Sequence, residues 1–129
     1  MLILRTILSE KYKFFFVLQL PVHLYINFKV FTREELEVIA NLCQKHDVIC
    51  ISDEVYEWIT YDSSKPHIRM ATLPNMWERT LTIGSAGKTF SSTGLKIGWT
   101  IGPANLIRPC QISHQVIQLM KHSKHQDMF

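Results

Sequence analysis

Gly84-Ser85-Ala86-Gly87-Lys88-Thr89-Phe90-Ser91-Ser92-Thr93-Gly94-Leu95-Lys96-Ile97-Gly98 is the stretch on which the reading of this chain turns. It gathers small residues, glycines, hydroxyls and two lysines, at 88 and 96. Small neighbours let a bulky ligand approach the backbone, hydroxyls donate hydrogen bonds to an anion, and a second cation can hold a phosphate. A lysine that attacks a carbonyl also needs its pKa lowered, by burial and by a nearby cation. The stretch therefore points to a buried, reactive lysine beside an anion site.

Three chemistries compete for it. Gly87-Lys88-Thr89 ends like a phosphate-cradling P-loop, but that loop needs a glycine at position 82, which is threonine. Ser85-Ala86-Gly87-Lys88 fits the Ser-x-x-Lys of acyl-transferring serine enzymes, without the companion Ser-Asp-Asn and Lys-Thr-Gly triplets. The third is a Schiff-base lysine for pyridoxal phosphate. Asp53-Glu54-Val55-Tyr56 adds weight to it, because that cofactor wants a carboxylate on its ring nitrogen.

Outward from this stretch, the chain reads as an α/β alternation. Thr32 and Glu35 form a capping box, and Phe31 with Leu36 a hydrophobic staple. Leu36, Ile39, Ala40 and Cys43 follow helical spacing, and Lys45-His46-Asp47 ends the helix. Val48-Ile49-Cys50-Ile51 is a continuous apolar run, expected of a parallel strand covered on both faces. Asp53 then lies just past its carboxyl end, where open α/β sheets bind ligands. A short helix from Glu54 and an irregular loop lead to a second strand, Thr80-Leu81-Thr82-Ile83. Two successive strands thus deliver Asp53 and Lys88 to one edge of the sheet. Residues 97–101 read as a third strand, and a helix is expected from about Ala104, disturbed by Pro109 within its second turn.

Before Lys29 the pattern is poor. Met1-Leu2-Ile3-Leu4 and Phe14-Phe15-Phe16-Val17-Leu18 are apolar runs, the second read as a short buried strand near 14–20. The charged flank before it resembles a signal peptide, yet no small-residue cleavage site follows Leu20.

Composition sets the outer bounds. A length of 129 residues leaves room for one domain and a modest core. The net charge of +3 belongs to the two ends, so it is not a nucleic-acid surface. Cys43, Cys50 and Cys110, an odd number without a Cys-x-x-Cys pair, argue for a reducing compartment and against a disulfide scaffold or zinc site. His122 and His125 lack a third ligand and read as a solvated tail. No span reaches the roughly 18 to 20 apolar residues of a transmembrane helix.

Asp53-Glu54-Val55-Tyr56, Met76-Trp77-Glu78-Arg79-Thr80, and Gly84 to Ser91 with Thr93-Gly94 and Lys96 together resemble the class I aminotransferases. Within them the kynurenine aminotransferase and cysteine-S-conjugate beta-lyase group is the most similar. The resemblance covers roughly residues 29–108. It implies a piece of the large, cofactor-binding domain of the aspartate aminotransferase fold: three layers, αβα, on a mostly parallel sheet. Residues 1–28 and 109–129 form a divergent N-terminal segment and tail.

What the resemblance implies about chemistry is specific. Lys88 would carry the Schiff base of pyridoxal 5′-phosphate and shuttle the proton, Asp53 would keep the pyridine nitrogen protonated, and Tyr56 would hydrogen-bond the phenolic oxygen. Ser85 and Lys96 would hold the phosphate. An asparagine that normally contacts the cofactor falls where this chain has Pro21, and Leu95 replaces a tryptophan. The implied reaction is transamination between a kynurenine-type aromatic or sulfur amino acid and a 2-oxo acid, in a cytoplasmic or, alternatively, mitochondrial homodimer that binds neither nucleic acid nor membrane. The reading from a different class is a catalytically inactive truncated form that interacts with intact subunits.

Overall fold

The structure is a computed structural model that describes residues 5–8, 13–18 and 30–126, with side chains described from 30 to 118. The expectations for Met1 to Leu4 and for the segment around Pro21, and the side chains of His122 and His125, lie outside the described residues.

The capping box predicted at Thr32 is present. The Glu35 backbone N–H donates to the Thr32 hydroxyl at 3.3 Å, and the Thr32 N–H donates to the Glu35 carboxylate at 3.1 Å. Helix α1 follows over Arg33–Lys45 and buries Leu36, Ile39, Ala40 and Cys43. Its C-terminus closes as a Schellman motif, with Asp47 in the left-handed region at φ 47°. The Val48 N–H reaches the Cys43 carbonyl at 3.0 Å, and the Asp47 N–H reaches that of Gln44 at 3.2 Å.

The strands are β1 (Arg5–Leu8), β2 (Lys13–Leu18), β3 (Ile49–Asp53), β4 (Thr80–Ser85) and β5 (Gly98–Ile101). They form one sheet in the order β1-β2-β3-β4-β5. The three strands expected from Val48 onward plus the apolar run near 14–20 account for four of the five; β1, against β2, is the addition. The sheet is mixed. Its central pairings, β2 with β3 and β3 with β4, are parallel, while β1 and β5 join antiparallel at the edges.

The core lies between α1 and one face of this sheet. Leu36, Ile39, Ala40 and Cys43 meet Val48 and Cys50, with Met70, Leu73 and Met76 closing the side, and Phe31 packs against the cluster. Each large apolar side chain so buried contributes about 1.5–3 kcal/mol. Burial along β3 alternates, with Cys50 and Ser52 buried and Ile49, Ile51 and Asp53 only partly so. That corrects the expectation of a strand covered on both faces: α1 covers one face, and the other stays half open.

Two further expectations are corrected. No helix starts at Glu54; the chain makes tight turns there, the Glu57 N–H reaching the Glu54 carbonyl and the Ile59 N–H that of Tyr56. Met70–Thr72 and Trp77–Arg79 form single 3₁₀ turns within the loop that follows. Helix α3, which does begin at Ala104, runs through Pro109 to Gln126. Proline removes one helical hydrogen bond, to the Asn105 carbonyl, and on an exposed helix water can replace that bond. Among the described residues no helix is long and apolar enough to cross a membrane.

Candidate active site

The carboxyl ends of β3 and β4 build the site. Parallel pairing sets Asp53 opposite Ile83, two residues before Ser85. The Glu54 N–H then donates to the Ile83 carbonyl at 3.0 Å, extending the pairing one step beyond the strand. The sequence rule that ligands gather at such ends locates Asp53 and the lysine stretch together.

From Ser85 the chain enters the short helix α2, Ala86–Thr89, and Lys88 rides on it. Ser85 stands at the helix start but makes no side-chain cap. A 3₁₀ turn at Thr93–Leu95 then returns the chain, and the Ala86 N–H donates to the Ile97 carbonyl at 3.1 Å. This closes a loop that faces Ser85, Gly87, Lys88, Thr93 and Lys96 into one open depression of about 440 Å³. Lys96 adopts the left-handed region, φ 53° and ψ 34°, as does Ser91 at φ 52°. Non-glycine residues seldom sit there, and such strain collects at ligand-binding loops.

Tyr56 reaches the same place from the turn after β3. The Lys88 Nζ lies over its ring, 5.4 Å from the centroid, within reach of a cation–π attraction. Four of the five expected site residues, Tyr56, Ser85, Lys88 and Lys96, thus converge by contact or by a shared cavity. Asp53 is brought to the same sheet edge by its strand, and its Oδ1 accepts from the Val55 N–H at 3.4 Å. It therefore acts locally as a turn-former, the role an aspartate at this position takes most readily.

Lys88 is exposed, where the sequence led us to expect burial. The reason is geometric: the depression is open, and among the described residues none roofs it. Trp99 packs half-buried beside the site, while Trp58 and Trp77 lie exposed.

A second polar cluster escaped the sequence reading. Glu54 is 1% exposed. Its Oε1 accepts from the Ser52 hydroxyl at 2.9 Å and the Met70 N–H at 3.0 Å, and its Oε2 lies 2.8 Å from His67 Nε2. Glu57 pairs with Arg69 through two guanidinium nitrogens, at 2.6 and 2.8 Å. The signal was available as alternation. Cys50, Ser52 and Glu54 share the core side of an extended chain, which leaves Asp53 on the other side.

Residues 29–124 match the family described as aminotransferase class I and II. The chain is 62% identical over 87 residues to kynurenine–oxoglutarate transaminase 1 of Homo sapiens, covering 67% of this chain and 20% of that protein. It is 70% identical over 80 residues to kynurenine–oxoglutarate transaminase 3 of Rattus norvegicus, covering 62% and 17%. The chain thus spans about one fifth of the length of these relatives. Among solved structures, N-succinyldiaminopimelate aminotransferase from Mycobacterium tuberculosis superposes with a TM-score of 0.66 at 40% identity, over 69% of this chain and 23% of that one. A double mutant of Thermus thermophilus aspartate aminotransferase gives 0.65 at 33% identity, over 78% and 25%. The mixed α/β sheet is therefore part of the aspartate aminotransferase fold.

Proposed function

The chain belongs to the aminotransferase class I and II family, and from that premise we propose that residues 29–108 supply the cofactor-holding part of a transamination site for pyridoxal 5′-phosphate. The observation that carries this reading is the shared depression of Ser85, Lys88 and Lys96, with Tyr56 beneath Lys88. The residues present fit the group. A volume of about 440 Å³ suits a small ligand, and two ammonium groups with a hydroxyl suit a phosphate plus an aldehyde.

Bound pyridoxal phosphate would supply an electron-accepting ring. The chain's own residues do the rest. Ser85 and Lys96 would hold the phosphate by charge-assisted hydrogen bonds, each worth about 1.5–3 kcal/mol. Lys88 would hold the aldehyde carbon through its amine, with water leaving, and would then carry the substrate's α-proton. The Asp53 carboxylate would keep a proton on the ring nitrogen, and the Tyr56 hydroxyl would donate to the phenolic oxygen. The substrates are an amino acid of the aromatic or sulfur-containing kind and a 2-oxo acid, in a homodimer of a reducing compartment, cytoplasm or mitochondrion.

A test uses the 129-residue chain, pyridoxal phosphate and borohydride. Mass spectrometry should find the reduced adduct on Lys88, and Lys88→Ala should lose it. Labelling spread evenly over the surface lysines would refute the assignment.

A second reading is favoured by a different observation. Phe90, Leu95, Ile97 and Ile101 are 69%, 63%, 55% and 50% exposed, and large apolar side chains left open mark protein contacts where they gather in a patch. On this reading the chain performs no transamination and associates with intact subunits of the same family. Sedimentation of the chain with an intact kynurenine–oxoglutarate transaminase, alongside a kynurenine turnover assay, separates the two.

A further inference from the structure

Glu54 sits between Asp53 and Tyr56 in a place that is costly for a carboxylate. A buried ionised group is tolerated only when its charge and lone pairs are met by partners. Here they are met from two directions. The Ser52 hydroxyl comes from β3 itself, while His67 and the Met70 N–H come from the far loop, thirteen and sixteen residues on. The same residue's backbone N–H is fixed to Ile83 on β4, and its carbonyl receives the Glu57 N–H that closes the turn. One residue thereby ties strand, turn, neighbouring strand and loop together, directly after Asp53 and two residues before Tyr56.

We propose that Glu54, gripped by His67, is a positioning residue that sets the turn carrying Asp53 and Tyr56 against Lys88. Alternation sends the Glu54 side chain into the core, so that of Asp53 emerges on the opposite side. The grip on the loop stops the turn from rotating, which would swing the Tyr56 ring away from Lys88. The catalytic meaning of this placement rests on the transamination reading above; the placement itself does not.

The experiment uses the 129-residue chain with Glu54→Gln and His67→Gln. The glutamine at 54 keeps the shape and an acceptor for Met70 and Ser52, and turns the acceptor oxygen that faces His67 into an amide donor. Two readouts are taken. The first, without cofactor, is the upfield NMR shift that the Tyr56 ring imposes on the Lys88 methylene protons. The second is the rate of borohydride-trapped pyridoxal phosphate labelling at Lys88. Both variants should lose most of the ring shift. Labelling should slow by roughly tenfold or more, since a misplacement of about 1 Å can cost about a hundredfold. Thr32→Ala weakens α1 from a remote cap and serves as the stability control; it should leave the ring shift in place. If Glu54→Gln does not fold, His67→Gln decides alone. An unchanged ring shift in the folded variants, or an equal loss in Thr32→Ala, overturns the proposal. A wild-type chain with the ring shift but no Lys88 labelling overturns the transamination reading and leaves the positioning to stand on the first readout.

Discussion

Trp99 occupies the space that a side chain on residue 84 would need. A Cβ built on Gly84 would lie 2.2 Å from the indole Nε1 and 2.4 Å from Cε2, and the two residues are direct partners in the antiparallel β4–β5 ladder. Glycine at 84 is therefore required by close approach, since its φ is not positive. The site begins at the next residue, Ser85.

It follows that Gly84→Ala should be costly. Forcing a methyl group into packed space destabilises by about 1–3 kcal/mol, here by pushing β5 away from the start of the lysine loop. Thermal melting should show the loss, and Gly84→Ala with Trp99→Ala should recover part of it. A single alanine variant as stable as the parent chain would contradict the packing.

Lys96→Gly should separate stability from binding. The left-handed backbone at 96 costs a side-chain-bearing residue about 1–2 kcal/mol, partly offset by glycine's own entropy of about 0.5–1 kcal/mol. The variant should melt at the same temperature or slightly higher. Its affinity for inorganic phosphate or pyridoxal phosphate should nevertheless fall roughly tenfold or more with the cation gone. Parallel losses in both measurements would mean that Lys96 is structural.

Thr32→Ala removes half of the reciprocal cap of α1. The expected loss is about 1 kcal/mol, within the range of 0.5–2 for such substitutions. Thr32→Ser should restore most of it. Denaturant titration of the three forms checks the order.

The loop before Pro66 should sense acid. The Ser64 hydroxyl and backbone N–H both donate to the Asp62 carboxylate and, with Lys65 nearby, hold it below the usual aspartate value. A folded pKa below the unfolded one contributes order that is present above about pH 4. That order is lost as pH falls through the lowered value. The Ser64 amide resonance should move in that acidic window, and in Asp62→Asn it should not move at all. A Ser64 shift centred at or above the ordinary aspartate value would go against the assignment.

Where the sequence was explicit, local rules sufficed. The cap at Thr32, the buried stripe of α1 and the two strand ends needed only spacing and hydrogen-bonding chemistry. That Ser85, Lys88 and Lys96 share one depression was legible because a run of small residues and cations is rare. Lys88's exposure was not legible in the loop's own composition, because burial depends on what covers a loop. Glu54 was hidden by its neighbour. Two adjacent acids looked like a helix start, and only alternation across Cys50, Ser52 and Glu54 separates the one that enters the core. The passage of α3 through Pro109 likewise turns on solvent at one carbonyl, which spacing does not report.

The two thiols of the core have a use as a clock. Cys43 comes from the last turn of α1 and Cys50 from β3; both are buried, and Cys110 is exposed on α3. The bond from Cys43 and the burial hold the Cys50 thiol protonated, whereas the bond from Cys50 favours the Cys43 thiolate. A thiol reagent should therefore modify Cys110 at once and wait for the inner pair. That wait measures how often the packing of α1 on the sheet opens at these two positions, since both sulfurs are buried in it. The three cysteines give the chain an internal standard and a stopwatch for its own opening, without any label being introduced.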